Sequence, residues 1–127
     1  NITEVATINT SAITGAIDYD TSTQSVIYNT TAATGNWTLN FRHSSTTTLN
    51  SALSIGQSIT VAFLATLGVN DKYNTGVSID GTTVTPKWQS GAAPVSGSPN
   101  SVDIYTYTII KTADATFTVF SSVTKFA

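Results

Sequence analysis

The chain has 127 residues, of which only 9% are charged, and five basic and seven acidic side chains give it a net charge of -2. This length fits one domain, since a single core typically organises about 100–150 residues. Hydrophobic residues make up 40% of the chain, too many for a composition that keeps a chain disordered. The basic residues are scattered, and binding to a phosphate backbone needs clustered cations. We therefore expect no nucleic-acid partner.

Cysteine is absent, which excludes disulfides and thiolate metal sites. No apolar run reaches the roughly 20 residues that span a bilayer. The longest candidate, residues 59–67, contains two threonines, so we expect no membrane insertion. Methionine is absent even at position 1, and the first residues as given lack the basic start and apolar core of a signal peptide. The chain is expected to be a mature form or a piece of a longer protein.

Threonine and serine account for 40 of the 127 residues, and 25 of these are threonine. Threonine is β-branched, which suits a half-exposed pleated surface and makes it a mediocre helix former. A polar but weakly charged composition of this kind predicts extended strands whose hydroxyls face water.

Short runs with strand character follow one another along the whole chain. They cover residues 5–10, 14–18, 24–29, 36–42, 58–66, 76–79, 82–85, 103–111 and 115–122. Turn signals every 8–12 residues between such runs are typical of a sandwich or barrel. The prediction is an all-β fold, an antiparallel β-sandwich of eight or nine strands that is jelly-roll-like, with an immunoglobulin-like sandwich as the alternative. Residues 1–14 would form an N-terminal strand or linker arm, and residues 15–127 a single domain.

Three local features are predicted between the strands. Asp80-Gly81 is a typical two-residue hairpin turn, because both positions need positive φ. The Leu49 and Leu53 spacing within residues 48–56 favours one helical turn. Residues 89–100, rich in Gly, Pro and Ser, favour a long exposed loop.

Alternation along each run predicts which side chains form the core. Two runs, 58–66 and 103–111, carry apolar groups on both faces, which predicts strands that are central or that cover a neighbour. The predicted core comprises Trp37, Leu39, Phe41, Val61, Phe63, Ile79, Tyr107, Ile109, Phe117 and Val119.

Catalytic chemistry has two weak candidates. His43 precedes Ser44, but the Gly-x-Ser-x-Gly elbow is absent and serines are abundant, so a loop histidine is the better interpretation. Asp18 and Asp20 would share one strand face about 6.5–7 Å apart, a spacing that fits an inverting glycosidase pair or part of a calcium site. An Asx-type turn after Asp20 is the simpler explanation. No catalytic residue, metal or cofactor is therefore predicted.

Aromatic residues offer a second kind of candidate site. Aromatic faces with polar edges suit sugars, and six such side chains are candidates: Tyr19, Tyr28, Tyr73, Trp88, Tyr105 and Tyr107. Trp88 stands beside Lys87 at the start of the long loop, which makes this pair the weak candidate for ligand binding. Packing in or around the core is the more ordinary role of such rings.

Three segments together carry a family resemblance: YDTSTQSVIY at 19–28, GNWTLNFR at 35–42 and IDGTTVTPKWQ at 79–89. The pattern continues in DIYTYTIIKT at 103–112 and TKFA at 124–127. Over residues 15–127 the chain resembles a β-sandwich module of structural proteins of marine tailed bacteriophages, including those that infect cyanobacteria.

The resemblance implies a surface-exposed module of a fibre, tail or head-decoration protein on the virion, and so an extracellular location. It carries no catalytic motif, and the expectation is a structural protein that is not an enzyme. A carbohydrate-recognising receptor-binding domain, with a host surface glycan as ligand, is the alternative.

Assembly is the last expectation from the sequence. Other virion proteins and copies of the chain are the expected partners, and a trimer is favoured by family analogy if the module belongs to a fibre. The last two strand runs carry more apolar groups than one small domain readily covers. Phe120 and Phe126 are the residues most expected to be buried by a neighbour.

Overall fold

The computed structural model describes residues 3–127, which fold into two mixed β-sheets. The strands are β1 Thr7–Asn9, β2 Gly15–Asp20, β3 Val26–Asn29, β4 Trp37–Arg42, β5 Ser58–Thr66, β6 Asn74–Ile79, β7 Thr82–Val84, β8 Lys87–Trp88, β9 Val102–Ala113 and β10 Thr116–Phe126. One short helix, α1, spans Leu49–Ala52, and a 3-10 turn spans Gln89–Gly91. Sheet A has the strand order β1-β3-β5-β9-β10-β8, and sheet B has the order β2-β4-β6-β7.

The first six strands alternate between the two sheets. Strands β1, β3 and β5 enter sheet A and pair in parallel, and strands β2, β4 and β6 enter sheet B and also pair in parallel. Thr7 lies beside Ile27 in sheet A, and Gly15 lies beside Trp37 in sheet B. Each pair of consecutive strands therefore forms one coil, and successive coils stack on one another.

The rest of the chain pairs mainly in antiparallel fashion. β7 forms a hairpin with β6, and β9 lies antiparallel to both β5 and β10. β8 returns to the far edge of sheet A, parallel to β10. The all-β prediction is confirmed, whereas a purely antiparallel jelly-roll is not. Alternation specifies which face a side chain occupies, but it is the same for either strand direction.

Aromatic rings from both sheets meet between them. The Trp37 ring lies 5.6 Å from Tyr105 and 5.9 Å from Phe63, and Phe41 lies 5.1 Å from Tyr107, measured between ring centroids. Nine of the ten predicted core residues are buried, and Phe117 is half-buried against the core. The core also includes residues outside the ten predicted for it: Ile13, Tyr19, Ile27, Ala33, Leu49, Ala65, Leu67, Val77 and Tyr105.

The predicted hairpin and helical turn are both confirmed. Asp80 and Gly81 have φ values of 51° and 82° between β6 and β7. The Asp80 carboxylate also accepts hydrogen bonds from the backbone N–H groups of Leu49 (2.7 Å) and Asn50 (2.9 Å), at the N-terminus of α1. At the other end, the buried Lys111 ammonium donates to the carbonyls of Asn50 and Leu53. One turn of helix is thus fixed by a charge of the favourable sign at each end.

Candidate functional site

The two candidate ligand-binding residues, Lys87 and Trp88, form β8 at the edge of sheet A. Lys87 lies beside Phe120 and Trp88 beside Ser121 of β10. The half-buried Trp88 ring contacts Tyr105 and Tyr107 edge-on, with ring centroids 6.3 and 6.2 Å away. Lys87 is exposed on the opposite face of the sheet. The two side chains therefore point to different sides, and Trp88 closes one margin of the core.

A cleft of about 330 Å³ lies on the inner side of Trp88. Its walls include the rings of Tyr73 and Trp88, and threonines of β6 and β7 add hydroxyls. Asn74 also lines it, and its buried Nδ2 has no hydrogen-bond partner among the described residues. This volume lies at the lower end of the range for small-molecule sites.

Asp18 and Asp20 lie on one face of β2, as the alternation predicted, but Arg42 occupies the space between them. The Arg42 Nε donates to Asp20 Oδ1 at 2.6 Å, and Nη1 lies 3.3 Å from Asp18 Oδ2. The hydrogen bond that Arg42 donates to Asp20 is the main cause of a raised pKa of Arg42; desolvation lowers this pKa, and the charges of Asp18 and Asp20 raise it. Asn40 donates to Asp18 Oδ1 at 3.0 Å. Asp20 is thus held by an ion pair, whereas the sequence favoured an Asx turn.

His43 lies just after β4, where its carbonyl accepts a hydrogen bond from the Ser22 N–H at 3.0 Å. The hydroxyl of Ser44 accepts from the backbone N–H groups of Thr46 and Thr47. Within residues 3–127, no serine hydroxyl bonds to the His43 ring, and no three His, Cys, Asp or Glu side chains cluster in a way that could hold a metal ion.

The outer face of sheet A, meaning the side turned away from sheet B, is a largely uncharged surface that the strand registers define. Four side chains form one row across it, with Ile8 beside Tyr28, Tyr28 beside Leu64, and Leu64 beside Ile104. On either side of this row lie the pairs Val26–Ala62 and Val102–Phe126. We call these eight residues the apolar patch. Ile8 and Phe126 are 56% and 55% exposed.

The rest of that outer face is neutral as well. Threonines and serines fill most of its other positions, for example Thr60 and Thr108, whose hydroxyls are 3.1 Å apart, and Ile110 lies between Ser58 and Thr118. Phe120 is 48% exposed near the β8 edge. Among the described strands of sheet A, Lys87 is the one charged side chain on this face, and it lies at the margin.

The outer face of sheet B has the opposite character. It carries the ion pairs that Arg42 makes with Asp18 and Asp20, and it carries Asn40, which accepts a hydrogen bond from the Gly81 N–H. Thr38 and Ser78 occupy the central positions between these groups. Polar groups that bond to one another along a sheet face are typical of a surface in contact with water.

Apart from Phe126, the residues of the apolar patch were missed from the sequence because the patch draws its residues from five different strands. The signal that existed was the apolar character of both faces of residues 58–66 and 103–111. Strand order and register are needed to bring Ile8 and Tyr28 next to Leu64, and alternation does not contain that information.

Comparisons with protein-family models, curated proteins and solved structures give no match for this chain. Among residues 3–127, no helix is long and apolar enough to cross a membrane.

Proposed function

We propose that this chain is a structural module of the virion surface of a tailed phage, part of a fibre, tail or head-decoration protein, and that its work is to make protein–protein contacts. The observation that carries the proposal is the difference between the two outer faces. One has a polar network that suits water, and the other is neutral and apolar across several strands. Large apolar patches on otherwise polar proteins mark interaction sites.

The family resemblance supports the location, and the candidate catalytic groups support a role without catalysis. Asp18 and Asp20 are both occupied by Arg42, so neither is free to act as an acid or base beside a substrate. His43 lacks a serine partner within the described residues. We infer a β-sandwich for the arrangement of the two sheets, because rings of both sheets interleave between them.

Antibodies against the purified domain test this proposal directly. Gold-labelled antibodies should decorate particles of the source phage at one repeated location, the fibre, the tail or the head. The proposal would be contradicted if the particles carried no label and the domain were found only in the unassembled fraction of the lysate.

A second candidate function, recognition of a host surface glycan, is favoured by the cleft beside Trp88. The ring of Tyr73 and the threonine hydroxyls of the cleft supply an apolar wall and polar edges, the combination that suits a sugar. A glycan array should then show saturable binding that Tyr73→Ala removes and that Val69→Ala, at a residue 81% exposed, preserves. Absence of binding to every glycan would leave this candidate without support.

A further inference from the structure

The apolar patch crosses sheet A from one edge strand to the C-terminal strand without interruption. Its central row runs through β1, β3, β5 and β9, and Phe126 extends the patch onto β10. Tyr28, Leu64 and Ile104 are only half-buried although they lie on or near the middle of the sheet. Burying such a side chain fully is favourable relative to leaving it exposed to water. A partner that covers the patch would therefore gain from several side chains at once.

The size of this face matches what a stable interface needs. Strands rise about 3.3 Å per residue and lie about 4.8 Å apart, so the six strands of sheet A cover roughly 650 Å² of flat face. Side chains that project from the sheet make its accessible area larger than this flat value. A standard interface buries about 800 Å² per partner.

The charge pattern indicates which partner fits. When two copies of a protein pack through the same face about a two-fold axis, the two contacting surfaces carry the same charges. A face rich in charges of one sign would therefore repel its copy. Within the described strands, the outer face of sheet A has no carboxylate and has one cation, Lys87, at its margin. A partner of opposite charge would find nothing to pair with in the centre, whereas a neutral copy finds a matching surface.

From these observations we propose that the outer face of sheet A packs against the same face of a second copy of this chain, sheet on sheet, with the apolar patch at the centre of the contact. The sheets of two identical copies have the same twist, and twisted sheets pack face to face with their strand directions at an angle of about -30°. This inference rests on the proposed function, since it names the partner for the protein–protein contacts of that same surface.

A matched pair of substitutions tests the proposal. Thr106 and Thr38 are both half-buried on inner strands, Thr106 on the outer face of sheet A and Thr38 on the outer face of sheet B. Sedimentation equilibrium should show the unaltered protein at a multiple of 13.3 kDa. Thr106→Lys should weaken self-association at least about tenfold, because it places two ammonium groups in a dry contact. Thr38→Lys adds the same charge to the other face and should leave self-association unchanged.

Circular dichroism and urea unfolding establish that both variants fold. If Thr106→Lys fails to fold, Ile104→Thr replaces it, because threonine keeps β-branching and removes part of the patch. A protein that is monomeric at 100 µM would overturn the proposal. Self-association that Thr106→Lys or Ile104→Thr leaves unchanged would also overturn it, and this is the result expected if copies pair through the β1 edge. Gold labelling of particles distinguishes this inference from the proposed function. If virions are labelled but the purified domain is a monomer, this inference alone is rejected. If the domain self-associates but is absent from virions, the proposed function is rejected.

Discussion

Three tyrosine rings lie fully buried between the sheets, at Tyr19, Tyr105 and Tyr107. The Tyr105 hydroxyl accepts a hydrogen bond from the Asn74 N–H at 3.3 Å, and the hydroxyls of Tyr19 and Tyr107 have no partner among the described residues. Burial disfavours the phenolate, and it raises the pKa of Tyr105 to about 12. Burial also raises the pKa values of Tyr19 and Tyr107.

These raised pKa values predict a steep loss of stability at high pH. The folded pKa lies above the unfolded value of about 10, so at pH 10–12 the unfolded chain releases protons that the folded chain still holds. The free energy of unfolding should therefore be constant with respect to these groups below pH 9 and should fall above pH 10. Each tyrosine contributes a slope of about 1.4 kcal/mol per pH unit. Urea unfolding at pH 8, 10 and 11 measures it.

Tyr107→Phe is the matched control for this alkaline effect. It removes one of the three protons, so the fall between pH 10 and 11 should be about a third shallower. At pH 7 it should preserve stability or increase it, because it removes a buried hydroxyl that has no partner. An unchanged alkaline slope in Tyr107→Phe would contradict the argument.

Single residues show where a sequence alone is informative and where it is not. Phe41 and Phe63 could be assigned to the core, because each occupies an apolar position in a regularly alternating run. Trp88 could not be assigned a face, since its strand has two residues and offers no alternation to count. The pairing of Arg42 with Asp18 and Asp20 was also hidden, because it joins residues more than 20 positions apart through parallel strands.

At the scale of elements, the stacked coils explain a pair of aligned asparagines. Asn9 and Asn29 are direct neighbours in the parallel pairing of β1 with β3. The Asn9 Nδ2 donates to Asn29 Oδ1 at 2.8 Å, and the buried Asn29 Nδ2 donates to the Leu64 carbonyl at 2.9 Å. These two bonds connect β1, β3 and β5, so one side chain links three coils. Asparagine ladders of this kind arise where identical residues stack in parallel strands.

Removal of this ladder should weaken the N-terminal edge of sheet A. Asn29→Ala deletes two hydrogen bonds at a buried position, which predicts a loss of about 2 kcal/mol in the free energy of unfolding. Hydrogen exchange at the β1 amides should accelerate more than exchange at β9, which lies in the middle of the sheet. The control is Asn70→Ala, at an exposed residue in the loop before β6. Equal stability of the two variants would show that the ladder contributes nothing.

The existence of most strands could be predicted from the sequence, and their direction could not. Alternation located nine of the ten strands within a few residues, and Asp80-Gly81 identified the β6–β7 hairpin together with its antiparallel pairing. No comparable turn signal separates β1 from β2, and the chain there passes to the opposite sheet. A polar connection of a few residues can either join two antiparallel strands of one sheet or cross from one sheet to the other. The parallel pairing of the first six strands therefore could not be predicted from the local sequence.

At the scale of the whole molecule, the two outer faces differ in how strongly salt should affect them. Among residues 3–127, the ion pairs that Arg42 makes with Asp18 and Asp20 lie on sheet B. The proposed contact through sheet A would bury Ile104, Leu64 and their neighbours, which carry no charge. Exposed charges are screened over about 10 Å at 0.1 M salt and about 3 Å at 1 M salt, whereas burial of apolar area is not screened.

Self-association of the unaltered protein should therefore be insensitive to ionic strength, with a dissociation constant that changes less than about threefold between 0.1 and 1 M NaCl. In Thr106→Lys association should stay weaker than in the unaltered protein at both salt concentrations, because the two ammonium groups lie in a dry contact, where their desolvation is costly and salt screens them little. Sedimentation equilibrium of both proteins at the two salt concentrations measures this contrast. A dissociation constant that rises tenfold or more for the unaltered protein in 1 M NaCl would indicate an interface held by ion pairs, which the outer face of sheet A does not offer.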